Sequence, residues 1–207
     1  GYKVHELRDQ TKYLLNQTDY IEFMIVDTGV NHDSAAIFKI DEEIFLNQND
    51  CKMFDRLNYL KDESIDYYAV QFSGATWHPV CYELSEDEKR KISKKKVLSK
   101  LVAVRNAINL IKPKFYLPSA GPAIFPFLDK TLSLGVDNIF VHQPDLDNFL
   151  KNTDTKLTYL RPGETLNPLS ITQPIKPPTE EELLILEKNL VCDFGGLSDK
   201  NFEIDQL

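Results

Sequence analysis

Five short runs over the first third of the chain are rich in β-branched and aromatic side chains. They are Lys3 to Arg8, Thr11 to Leu15, Tyr20 to Asp27, Ser34 to Ile40 and Glu43 to Leu46. In a strand, a two-residue period places successive side chains on opposite faces of a sheet. Asp19, Gly29-Val30-Asn31 and Asp41-Glu42 punctuate these runs, which predicts a meander of hairpin-linked, mostly antiparallel strands. The strand Glu43 to Leu46 runs into the polar corner Asn47-Gln48-Asn49-Asp50-Cys51. There Asp50 is expected to cap a helix over Cys51 to Lys61, with metal ligation as the functional alternative.

The pattern then changes. Ile65 to Phe72 reads as a strand. Ser85 followed by Glu88 forms a capping-box signature opening a long helix. Its residues Val97, Leu101, Val104, Ile108 and Ile111 step by four, three, four and three, one apolar stripe ended by Pro113. Lys114 to Pro118 is expected to be a strand and Ala123 to Leu134 a helix closed by Gly135. Asn138 to Val141 is expected to be a strand, Asp145 to Asn152 a helix and Lys156 to Leu160 a last strand. Strand–helix alternation after an antiparallel meander specifies an α/β fold with a mixed sheet. Pro162, Pro168, Pro174, Pro177 and Pro178 mark a connector. A second capping box, Thr179 with Glu182, opens a helix bearing Leu183, Leu186 and Leu190, expected to dock on the main domain, and Gly195-Gly196 opens a frayed tail. The division is 1–166 for the domain and 167–207 for connector and helix.

Composition narrows the function classes. The 207 residues are 42% hydrophobic and 27% charged, as in ordinary globular proteins. A net charge of −8 argues against a nucleic-acid partner. The basic cluster Lys89 to Lys96 follows Glu83, Glu86, Asp87 and Glu88, so it reads as a solvated helix face, with a phosphate-binding patch as the alternative. No apolar run is long enough for a membrane span and no signal-peptide pattern is present, so a cytoplasmic location is expected. Cys51, Cys81 and Cys192 lack C-x-x-C spacing, which points to a reducing compartment and against an iron–sulfur site made wholly by this chain.

Ligands in α/β sheets bind beyond the carboxyl ends of the strands. Three such ends are chemically distinctive: Asn49-Asp50-Cys51, Gln71-Phe72-Ser73-Gly74-Ala75-Thr76-Trp77-His78-Pro79 and Ser119-Ala120-Gly121-Pro122. Gly74 and Gly121 allow close backbone approach, Ser73, Thr76 and Ser119 offer hydroxyls, and Trp77 offers a stacking surface. The bland alternative is two sharp turns and a buried tryptophan. The histidines His5, His32, His78 and His142 form no metal motif, and His78 is the best placed for acid–base work. The chain has neither a Gly-rich phosphate loop nor a serine nucleophile elbow.

The order of these pieces carries a resemblance. Phe23-Met24-Ile25-Val26-Asp27, Leu46 to Cys51, Phe72 to Trp77, Pro118 to Pro122 and Arg161-Pro162-Gly163-Glu164-Thr165-Leu166 follow one another at characteristic spacing. Over roughly Ile21 to Leu166 the chain resembles the second half of the metallo-β-lactamase-like domain of the CMP-N-acetylneuraminate and UDP-N-acetylmuramate hydroxylase group. The resemblance implies the C-terminal half of an αββα sandwich, with Asp50 as a metal ligand. Ser73, Gly74, Trp77, Ser119 and Gly121 would line the substrate cleft, with His78 as the catalytic candidate. It implies an enzyme acting on a nucleotide sugar or related acidic sugar. A divalent metal, zinc or iron, is expected only in the complete domain, with a Rieske 2Fe-2S cluster on another segment.

The departures from that pattern are specific. H-x-H-x-D-H is absent, as is a Rieske Cys/His pair, and Ser119-Ala120-Gly121 stands where many hydrolases of the fold carry a metal histidine. The chain is therefore expected to be incomplete, as a fragment, a split gene product or a decayed paralogue, and Gly1 in place of an initiator methionine favours a cut or processed product. Its expected partners are the N-terminal half of the domain, in cis or in trans, a sugar or nucleotide-sugar substrate, or a second copy forming a homodimer. The competing readings are a lactonase or phosphodiesterase of the same fold and a non-catalytic interaction module.

Overall fold

A computed structural model describes residues 5–27, 29, 32–161 and 163–193, with the side chains of 190–193 outside the description. The expectations resting on Lys3, Val4, Val30, Asn31, Pro162, Cys192, the Leu190 side chain and Gly195-Gly196 lie outside the described residues.

Among the described residues, seven strands form one sheet whose spatial order is the order of the chain: β1 (Tyr13–Leu14), β2 (Tyr20–Asp27), β3 (His32–Ile40), β4 (Glu43–Asn49), β5 (Tyr67–Gln71), β6 (Phe115–Ser119) and β7 (Lys156–Leu157). The first four pair antiparallel and β4 to β7 pair parallel. The α/β class, with a meander followed by strand–helix alternation, is as expected. Asp41 and Glu42 join β3 to β4 with φ of 49° and 69°, the double positive φ that a two-residue hairpin turn uses to match strand twist.

The parallel strands need crossovers, and helices supply them. A 3₁₀ helix (Phe54–Leu60) links β4 to β5, and α1 (Glu86–Ile111) links β5 to β6. Between β6 and β7 lie α2 (Lys130–Leu134) and α3 (Gln143–Leu150), and α4 (Glu180–Asp193) follows the connector. The α1 capping box is present: Ser85 Oγ accepts from the Glu88 N–H, and Glu88 Oε2 accepts from the Ser85 N–H at 3.1 Å. The box opening α4 is also present, since Thr179 N–H donates to Glu182 Oε2 at 2.7 Å and Glu182 N–H to Thr179 Oγ1 at 3.1 Å.

One face of the sheet carries the core. Met24, Ile37, Leu46, Tyr68, Val70 and Tyr116 pack there with Leu57, Leu101, Val104, Ile108, Leu146 and Leu150 from the helices. The other face bears a transverse row in strict register: Tyr13, Ile21, Phe38, Phe45, Tyr67, Phe115 and Lys156. Phe38 stacks on Phe45 at 6.1 Å and Tyr67 on Phe115 at 5.4 Å between ring centres. Lys156 Nζ lies 5.5 Å from the centre of the Phe115 ring. Every member of the row is half-buried, and none belongs to the helix-covered core.

Several expectations are corrected. His5 to Arg8 is not a strand, and the segment contributes only a bridge from Asp9 to Phe23. Helix 123–134 shrinks to α2, because Pro122 and Pro126 interrupt the segment and the helix starts only at the Asp129 cap. Residues 138–141 are irregular, although Ile139, Phe140 and Val141 are all buried. Of the C-terminal leucines, Leu183 is fully buried whereas Leu186 is 39% exposed.

Candidate functional site

The sheet changes from antiparallel to parallel at β4, so the carboxyl ends of β4, β5 and β6 lie at one end of the molecule. At the end of β4 the chain turns sharply. Asn49 has φ of 49°, and the register with β5 shifts between Asn47 and Asn49. Gln48 points inward, is fully buried, accepts a hydrogen bond from Tyr68 Oη at 2.5 Å and donates to the Cys51 carbonyl at 2.8 Å. These bonds fix the corner on which Asp50 stands exposed.

Asp50 does not cap a helix. The 3₁₀ helix begins at Phe54 with Met53 at its N-cap, and no side chain caps it by a hydrogen bond. Neighbouring Cys51 is buried, and its thiol is pushed up to about 11 by burial first and then by Asp33 and Asp50. It is therefore a neutral thiol near neutral pH, unsuited to metal ligation or nucleophilic attack.

Asp50 lines a cleft of about 330 Å³ with Lys52, Gln71, Gly74, Thr76, Lys96 and Lys100. Phe72, Val97 and Ile139 supply its apolar wall. Helix α1 brings Lys96 and Lys100 to the same face, one turn apart. The Lys100 ammonium donates to Gln71 Oε1 and, at 3.0 Å, to the Ser73 carbonyl. Lys96 donates to the His78 carbonyl at 2.8 Å. Burial lowers Lys100 to about 8, Lys52 pushes in the same direction and Asp50 opposes.

A second cavity, of about 380 Å³, shares the Gly74-Ala75-Thr76 rim with the first. Trp77, Phe125 and Phe140 form its aromatic wall, with ring centres 4.9 Å (Trp77–Phe125), 5.9 Å (Trp77–Phe140) and 5.1 Å (Phe125–Phe140) apart. Trp77 is 44% exposed. Gly121 closes the far side, where a Cβ would stand 2.7 Å from Ser73 Cβ. The Gly74 N–H bonds the Ile139 carbonyl at 2.9 Å, and a Cβ at Gly74 would stand 2.6 Å from that oxygen. The glycine thus lets the irregular 138–141 segment lie against the loop.

The residues singled out in the sequence are therefore divided. Asp50 and Gly74 line the cationic cleft, whereas Gly74, Trp77 and Gly121 line the aromatic cavity. Ser73 and Ser119 line neither, and each holds a buried Oγ without a hydrogen-bond partner. His78 packs edge-on against Tyr82 at 4.7 Å and also lines neither cavity. Lys52 and Lys100 were not anticipated, Gln71 was noted only as the start of its strand-end loop, and Lys96 only within the basic cluster read first as a solvated face. The available signal was the four-residue step from Lys96 to Lys100 beside the Val97–Leu101 stripe. The rest of the basic run does sit on a solvated face, where Lys89, Arg90 and Lys94 pair with Glu86, Asp87 and Asp137.

Among the described residues, no group of three His, Cys, Asp or Glu side chains is placed to hold a metal. The donor set around Asp50 is one carboxylate among ammonium groups, which does not fit zinc or iron by itself. Among the described residues, no helix is long and apolar enough to cross a membrane.

No family model matches the chain. Over 95 residues it is 32% identical to proteins of two Mycobacterium tuberculosis strains (CDC 1551 / Oshkosh and ATCC 25618 / H37Rv), each described as a Rieske 2Fe-2S iron–sulfur protein. The matched segment takes in 45% of this chain and 18% of each relative, so the chain spans less than a fifth of their length. A structure described as a zinc-dependent hydrolase of the metallo-β-lactamase superfamily, from Thermotoga maritima, superposes with a TM-score of 0.40 at 12% identity. That superposition covers 72% of this chain and 59% of the other.

Proposed function

We propose that the chain is the distal half of a metallo-β-lactamase-like domain in a Rieske-associated, hydroxylase-like enzyme acting on a nucleotide sugar or related acidic sugar. The observation that carries the reading is the cleft beyond β4 and β5, where Asp50 stands beside three lysines at the strand ends such sheets use for ligands. The ordered loops of the sequence and the partial identity to Rieske proteins support it. On this reading Asp50 is the one metal ligand this chain contributes. The remaining ligands and the Rieske cluster come from another segment, in cis or in trans. The bound metal would supply the oxidative chemistry, while the residues of this chain grip and orient the substrate. The aromatic row would then face the second sheet of the sandwich. His78 takes no part in the proposal, because its ring lines neither cavity.

The test is elemental analysis of the complete native protein and of its Asp50→Asn variant. Asp50 is exposed and makes no hydrogen bond within the described residues, so folding should be preserved. The expected result is a clear fall in bound metal. Unchanged metal content together with unchanged activity would refute the assignment.

A further inference from the structure

Among the described residues, the lysines of the cleft outnumber the carboxylates that line it. The chain carries a net charge of −8, yet the lining of this one cleft has three lysines and a single carboxylate. Among the described residues, none of the three makes an ion pair within 4.0 Å. Their partners are neutral: the Gln71 amide oxygen and the carbonyls of Ser73 and His78. An ammonium has three N–H donors, so Lys100 keeps one and Lys96 two for another acceptor. Lys52 repels Lys100, whose ammonium is partly buried beside Phe72, Val97 and Ile139, where unbalanced charge is costly. Such an arrangement is relieved by an anion.

The charge count selects which anion. Three ammonium groups and one carboxylate leave a surplus of two positive charges in the lining. A phosphate monoester carries about −1.5 to −2 near neutral pH and presents three acceptor oxygens. A carboxylate carries half that charge and is matched better by the planar fork of an arginine than by separate ammonium points. We propose that Lys52, Lys96 and Lys100 form a phosphoryl-binding site, with Lys100 as its anchor and Asp50 as the charge that limits its affinity. The site deepens the proposed function by naming the group of the substrate that is held, a dianionic phosphoryl group such as that of a sugar phosphate or the diphosphate of a nucleotide sugar. It rests on that reading only for the identity of the rest of the substrate.

The test is calorimetric titration of metal-stripped protein with inorganic phosphate, and with acetate as the monoanionic control. Phosphate should bind saturably and acetate more weakly. Lys100→Met and Lys52→Met should each weaken phosphate binding by about tenfold or more. Asp50→Asn should tighten it. Lys52 is exposed, so its variant keeps the test valid if Lys100→Met folds poorly. Absence of phosphate binding, equal binding of acetate, or an unchanged affinity in Lys52→Met would overturn the site. Because no metal is present, these outcomes are independent of whether Asp50→Asn changes metal content in the complete protein.

Discussion

Replacing Gln48 by leucine tests the corner that presents Asp50. Gln48 is fully buried and bonds two groups, the Tyr68 hydroxyl at 2.5 Å and the Cys51 carbonyl at 2.8 Å. Leucine is of similar size, so the change removes the bonds without opening a large cavity. The Tyr68 side chain is fully buried, and orphaning its hydroxyl costs about 1–3 kcal/mol. Loss of the bond to the Cys51 carbonyl adds about 1 kcal/mol. Tyr68→Phe alone leaves Gln48 Oε1 unpaired but keeps the bond to Cys51, for about 1–2 kcal/mol. In the double variant neither the hydroxyl nor the amide remains to be orphaned. Its cost should therefore fall short of the sum of the singles by about 1–2 kcal/mol. Urea denaturation followed by the fluorescence of Trp77, the chain's single tryptophan, measures all four proteins. Additivity within about 0.5 kcal/mol would refute the claim that this buried pair fixes the corner.

The Gly74 loop and a buried histidine give two more expectations. Gly74→Ala should destabilise by about 1–3 kcal/mol, since its Cβ would meet the Ile139 carbonyl at 2.6 Å and one backbone must yield; an unchanged urea midpoint would count against the close approach. His142 is buried, its Nε2 lies 2.6 Å from the Ser133 carbonyl, and burial lowers its pKa although Ser133 and Asp145 oppose. The unfolded imidazole titrates near its ordinary value of about 6.5, so the unfolded state binds more protons between there and the lower folded value. This contribution to stability is complete above the unfolded pKa and is lost as pH falls through the folded one. Denaturation midpoints between pH 7 and 5 should therefore fall less steeply in His142→Gln than in the parent, and identical slopes would contradict the burial of a neutral ring.

Elements governed by local chemistry were legible in the sequence. Ser85 with Glu88 fixed the start of α1 because the capping box is a four-residue interaction. The β-branched and aromatic run Tyr20 to Asp27, bounded by Asp19 and Gly29, located β2 to the residue. What failed depended on distant partners. β4 runs on through Asn47, Gln48 and Asn49, since Tyr68 satisfies the Gln48 amide inside the core, and composition alone marks those residues as a corner. Ile139, Phe140 and Val141 are apolar because they are buried, yet they join no strand. The cationic cleft was hidden for a similar reason. Lys52 lies on a loop and Lys96 and Lys100 on a helix, and only the crossover from β5 through α1 brings them together.

The sheet is laid down in the order in which it is synthesised, each strand beside its predecessor and none inserted between earlier ones. Assembly therefore resembles a zipper advancing from one edge, with no need to reopen a closed pair. The antiparallel members pair across short turns, where loop closure costs little. The parallel members must wait for their crossover helices, above all for α1, before the lysines can converge. In a chain of this design the scaffold strands meet across short turns, whereas the charged cleft exists only once the long crossover through α1 is closed.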